Sequence, residues 1–225
     1  MKNYLSENKA LIITILGTII LLVLMGVILS ISSKKQVSQT GSLNISEDKK
    51  DLLIKGDSHV FGNSQATIEV VEFSDFQCPA CGYYFSEFEK FKTKYENDVK
   101  FVFRHFPLNK IHKRAFLAAE ASESANAQGK FWEFHNKLFE NQSEWSALSK
   151  NEAIDKFVEY AKAVGVNDIE KFRSDLENET FKDRVQEDLN DATSLGLPGT
   201  PTVFVNGEKV ENPTFENLEK ASGLK

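Results

Sequence analysis

The sequence predicts an α/β domain with a block of inserted helices, preceded by one apolar N-terminal helix. Three observations carry this expectation. Past residue 58 the apolar pattern runs strand, helix, strand, several helices, hairpin, helix. The only two cysteines, Cys78 and Cys81, frame a C-P-A-C at the first strand-to-helix junction. Residues 10–31 hold no Asp, Glu, Lys or Arg.

The uncharged run is about 22 residues long, or roughly 33 Å as a helix, enough to cross a bilayer. A cleaved signal peptide is the other reading, but its apolar core is usually about 7–15 residues and ends at a small-residue site. Ser30-Ile31-Ser32 is a poor site of that kind, so an uncleaved anchor is expected. Residues 1–9 form a short tail before it. Lys2 and Lys9 on one side balance Lys34 and Lys35 on the other, so charge does not orient the segment. Residues 32–57 are rich in Ser, Lys, Gln, Asp and Asn and read as a flexible tether. Residues 58–225 are expected to form one domain.

Within that domain, residues 67–73 alternate as a strand. Ile68, Val70 and Glu72 share one face, and Val71 and Phe73 share the other. Both faces are largely apolar, as in a central strand covered on both sides. Pro79 stands where a first helical residue belongs. Cys81, Phe85, Phe88, Phe91 and Tyr95 then recur at steps of four, three, three and four, one helical face. This carries Cys81 toward the core and leaves Cys78 at the helix N-terminus, able to meet solvent. A second strand is expected at 99–104.

A helical block at about 110–195 follows. Ala115, Ala118, Ala119 and Ala125 mark one helix; Phe131, Phe134 and Leu138 mark another. Ser149 and Glu152 fit a capping box before Ile154, Phe157, Val158 and Ala161. Phe181, Val185, Leu189 and Ala192 mark a last helix, ended by Gly196. Residues 202–205 and 208–210 read as a hairpin about Asn206-Gly207. A short helix at about 213–221 closes the chain.

A C-x-x-C at a strand-to-helix junction is the local form of a dithiol redox site. Free backbone N–H groups and the helix dipole favour a thiolate at Cys78. Cys81, on the Phe-rich face, is expected to be buried with a higher pKa. Two other readings exist: an inert disulfide stapling the helix start, and half of a zinc site. Zinc usually needs four ligands; only His59, His105, His112 and His135 are at hand, and no two are close in sequence, so no metal is expected. Glu72, on the Ile68 and Val70 face, is expected to be partly buried. It would exchange a proton with Cys81, or serve as a structural acid at the strand end. His105 and His112 are read as caps or surface groups, or as lining for a substrate face. Phe76 and Tyr83 are read as core or as an apolar rim, and Trp132 and Trp145 as packing. A mild excess of acid, 33 Asp and Glu against 27 Lys and Arg, with no basic stripe, excludes a nucleic-acid partner.

Four separated segments resemble the DsbA-like branch of the thioredoxin superfamily: residues 72–81 (EFSDFQCPAC), 103–108 (FRHFPL), 128–132 (QGKFW) and 199–202 (GTPT). The likeness covers about 59–221. It implies a thioredoxin fold with an inserted helical subdomain. It also implies a cis-proline loop at Pro201, beside the cysteines, offering the backbone of Thr200 to a client strand. Pro79 and Ala80 would tune Cys78; the His common between the cysteines of strongly oxidising relatives is absent.

The resemblance implies an extracytoplasmic, membrane-anchored thiol:disulfide oxidoreductase. Its redox centre is the Cys78–Cys81 disulfide, with no other cofactor. Its clients would be unfolded or reduced secreted proteins, and a quinone-linked membrane partner would re-oxidise it. The same site run as a reductase or isomerase, or a non-catalytic tethered binding domain, are the alternatives.

Overall fold

The structure, a computed structural model, describes Ile19, Met25 and residues 45–224, with Glu47 described by its backbone alone. The expected tail, nearly all of the apolar run at 10–31, and the tether up to residue 44 lie outside the described residues. Among the described residues no helix is long and apolar enough to cross a membrane.

Five strands form one mixed sheet: β1 (His59–Gly62), β2 (Ile68–Ser74), β3 (Val99–His105), β4 (Thr202–Val205) and β5 (Glu208–Val210). Their order is β1-β3-β2-β4-β5. Only β2 and β3 run parallel. Helix α1 (Pro79–Lys94) makes the crossover between them, as a parallel pair requires. β2 is central and buried on both faces, as the apolar residues on both of its faces predict. Asn206 and Gly207 take positive φ, +50° and +83°, which the tight turn between β4 and β5 needs.

Six helices are inserted between β3 and β4: α2 (Ala115–Asn126), α3 (Phe131–Glu140), α4 (Gln142–Trp145), α5 (Lys150–Ala163), α6 (Ile169–Glu177) and α7 (Lys182–Ser194). The capping box at Ser149 and Glu152 is formed in both directions. Helix α8 (Phe215–Ser222) ends the domain.

Three apolar clusters hold the layers. Val70, Phe101 and Val203 pack on Phe88, Phe91 and Leu218 from α1 and α8. Val71, Phe73, Val102 and Phe204 pack on the other sheet face with Ala192, Leu195 and Leu53. The third cluster joins Phe134, Trp145, Phe157 and Phe172 of the inserted helices to Phe76, Cys78, Cys81 and Phe103. The cysteines therefore sit at the seam between the sheet layer and the inserted helices.

Two features differ from the sequence expectation. The tether was expected to run to residue 57, yet Glu47–Leu52 form a 3-10 helix. Leu53 is buried, and the Leu52 and Leu53 carbonyls accept from Arg104 at 2.9 and 3.1 Å. Their polar neighbours in sequence hid these contacts. Strand β1 was also unforeseen: it has four residues, pairs only with β3, and ends in a glycine.

Candidate active site

Cys78 caps α1 in an extended conformation, and Pro79 takes the first helical position. The loop before it is fixed by Asp75, a buried acid whose role the sequence does not reveal. One Asp75 oxygen accepts from Gln77 N at 2.7 Å; the other accepts from Leu108 N at 2.8 Å and lies 2.7 Å from His112 Nδ1. Three contacts to one carboxylate thus fix the turn that leads into Cys78.

Both thiols are free. Cys78 is only 6% exposed, so it does not meet solvent as openly as the sequence suggested. The cause is the loop before β4: Cys78 Sγ lies 3.4 Å from the Thr200 carbonyl oxygen, to which it donates only in its protonated form. Pro79 and Ala80 beside it are exposed. The Thr200–Pro201 peptide is cis, as the resemblance implied.

The Cys78 thiol is pulled down to about 5. A hydrogen bond from the Cys81 side chain does most of this, helped by the Thr200 side chain and the backbone N–H groups of Cys81 and Ala80, against the cost of burial. Cys81 is fully buried, and burial holds its thiol well above the ordinary range. The Cys78 thiolate and the Glu72 carboxylate nearby push it further in the same direction. The two values describe one arrangement: Cys81 keeps the proton and shares it with the Cys78 thiolate.

Glu72 is 2% exposed, more deeply buried than the partial burial expected. Burial raises its carboxyl to about 7, against the pull of Ser74 and of Lys92. Lys92 is itself buried, with its ammonium 4.4 Å from the Trp132 ring centre and 5.0 Å from that of Phe61. Cation–π contacts of this kind offset part of the desolvation of the ammonium.

The remaining candidates are separated. Phe76 is core, stacked on Phe103 at 5.2 Å, whereas Tyr83 is exposed. Trp145 is fully buried, and the Trp132 indole donates to Val60 O at 3.0 Å, so both are packing groups. His105 lines no surface. With His59 it meets one oxygen of Glu123, at 3.0 and 2.8 Å, in a buried cluster. The sequence shows no close His pair, because β1 and β3 bring His59 and His105 together. Two imidazoles and a carboxylate are donors of the zinc kind. Here, however, Arg184 Nε lies 3.7 Å from the same Glu123 oxygen, so the carboxylate already faces a cation.

Comparison with known proteins agrees with this geometry. The family model Thioredoxin_4, described as thioredoxin, matches residues 55–221. The chain belongs to the thioredoxin family, within the DsbA-like thiol:disulfide oxidoreductases. It is 30% identical over 226 residues to the probable disulfide bond formation protein D of Bacillus cereus, covering 96% of this chain and 97% of that protein. The crystal structure of oxidised BdbD from Bacillus subtilis superposes with a TM-score of 0.67 at 28% identity, over 81% of this chain and 95% of that one. A 159-residue stretch, 69% of this chain, is 40% identical to the Na(+)/H(+) antiporter NhaA 1 of a Mycobacterium species, strain KMS. The match spans only about a quarter, 24%, of the antiporter's length.

Proposed function

We propose that this protein oxidises the thiols of client proteins through the Cys78–Cys81 pair, acting outside the cytoplasm and tethered by residues 10–31. The observation that carries the reading is the split between the two thiols: Cys78 low, at about 5, and Cys81 held high. Stabilising the Cys78 thiolate favours the reduced pair, and that makes the disulfide a stronger oxidant.

In the oxidised enzyme a client thiolate attacks Cys78 Sγ. The Cys78–Cys81 bond breaks, and Cys81 leaves as a thiolate. Glu72, with its carboxyl near 7, is the group placed to supply the proton that Cys81 takes up. A second client thiolate then attacks the client sulfur of the mixed disulfide and releases Cys78 as a thiolate. Two electrons have moved from client to enzyme. The Thr200–Pro201 loop, with Pro79 and Ala80, forms the surface on which an extended client segment lies. Reduced secreted proteins are the clients this reading implies, and a quinone-linked membrane protein is the implied re-oxidant. The name of the Bacillus cereus relative, a probable disulfide bond formation protein, supports the direction.

A Cys81→Ala variant tests the scheme. Offered a client that carries a disulfide, its Cys78 thiolate attacks one client sulfur and displaces the other as a thiolate; with no Cys81 thiol to attack the mixed disulfide so formed, clients should accumulate on Cys78 and be released by reductant. Cys78→Ala should trap none. Equal trapping by both variants, or by neither, would overturn the assignment.

A further inference from the structure

Helix α4 is one turn long and belongs to the inserted helices, yet it reaches the cysteine loop. The Gln142 side-chain amide donates to both Phe76 O, at 2.8 Å, and Cys78 O, at 2.9 Å. Gln77 returns the contact: its amide donates to Ser146 O at 2.7 Å, and its oxygen accepts from Arg114 N at 2.6 Å. The base of α4 is firm, since Trp145 is fully buried and donates to Leu138 O at 2.9 Å.

Gly82 supplies the second observation. It sits inside α1 without a left-handed φ. A glycine there costs about 0.5–1 kcal/mol against alanine. A Cβ at this position would lie 2.8 Å from Gln142 Oε1 and 3.2 Å from its Cδ and Nε2. The missing side chain makes room for Gln142.

We propose that Gln142 is a positioning residue that clamps the Phe76–Cys78 backbone, and that Gly82 is glycine to admit it. The Cys78 carbonyl also accepts from Gly82 N at 3.1 Å, so it ends the first turn of α1. With that carbonyl held from both sides, the Ala80 and Cys81 N–H groups stay aimed at the Cys78 sulfur. The inference rests on Cys78 being the attacking thiol of the proposed function. It adds that the inserted helices set the reactivity of this thiol.

The test is a double-mutant cycle on the full chain: wild type, Gly82→Ala, Gln142→Ala and the pair. The readouts are the pH dependence of Cys78 alkylation and the equilibrium with a glutathione buffer, with thermal melts to confirm folding. Gln142→Ala should lower the constant for oxidation of glutathione about fivefold, the equivalent of about one hydrogen bond, and shift Cys78 alkylation to higher pH. Gly82→Ala should do the same in wild type and nothing further in the Gln142→Ala background. If Gln142→Ala does not fold, Gln142→Met, of like length without a donor, carries the same expectation. Additive effects, or an unchanged Cys78 titration in the Gln142 variants, would overturn the clamp alone. A wild-type Cys78 that titrates as an ordinary thiol would overturn the clamp and the proposed function together.

Discussion

Arg104 and Asp188 form a fully buried ion pair: Nε donates to Oδ1 at 2.9 Å, and both side chains are closed to solvent. Arg104 Nη2 also donates to Asp191 at 2.6 Å, and Nη1 reaches the Leu52 and Leu53 carbonyls. One guanidinium on β3 thus joins helix α7 and the segment that precedes the sheet. Without Arg104, Asp188 keeps Arg184 at 2.6 Å and Asp191 keeps Lys55 at 2.7 Å, while the Leu52 and Leu53 carbonyls lose the Arg104 donor. Arg104→Met should cost about 2–3 kcal/mol, the loss of buried hydrogen bonds from a charged group, read from denaturant midpoints at constant slope. A loss below about 1 kcal/mol would mean that Arg184 and Lys55 suffice for the two carboxylates and that Arg104 is not the tie.

Glu72 links stability to pH with a defined sign. Its carboxyl rises from 4.5 to about 7 in the folded chain. Between those values the folded state binds more protons than the unfolded state, so stability falls as pH rises. Glu72→Gln should remove this dependence. It should stabilise the protein by up to about 3 kcal/mol above pH 7 and leave it little changed below about 4.5. It should also slow the formation of mixed disulfides, the step in which Cys81 leaves and takes up a proton. Parallel stability profiles for variant and wild type would contradict the buried-acid assignment.

His59 acts in the opposite sense. Burial lowers its pKa below 6.5, outweighing the Glu123 carboxylate that raises it. The unfolded chain therefore takes up this proton first, and stability is lost as pH falls from about 6.5 through the folded value. His59→Gln keeps a donor toward Glu123 and cannot titrate, so its acid transition should begin at lower pH. Denaturation series at several acidic pH values would read this.

Thiol reactivity should follow the pKa split. Alkylation of reduced wild type should modify one thiol, Cys78, with a rate that is flat at neutral pH and falls as pH drops through about 5. Cys81 should stay unmodified until the protein is unfolded, because burial and the neighbouring charge hold its proton. Peptide mass mapping distinguishes the two. Early labelling of Cys81 would contradict the split.

Much of this fold is legible in the sequence, for physical reasons that differ by element. β2 and β3 show because apolar residues fill both faces of a strand that is covered on both sides. The hairpin shows because Asn206-Gly207 accepts positive φ, and α5 shows through its capping box. β1 and α4 are hidden because four residues are too few to set a period. α6 carries three apolar residues, Ile169, Phe172 and Leu176, and buries only the last two of them, among polar residues. The cysteines, Glu72 and the Thr200–Pro201 loop could be named from local motifs and the family resemblance. Asp75, Gln142 and the pairing of Arg104 with Asp188 could not. Each depends on contacts across 33 to 84 positions that no local pattern records.

The central claim is that Cys78 and Cys81 form an oxidising pair. Its most direct test is the reduction potential of the full-length protein, from equilibration with a glutathione buffer. A value near the roughly −120 to −180 mV of strong oxidants and isomerases is expected. A value near the roughly −270 mV of thioredoxin would contradict the claim and mark the protein as a reductase.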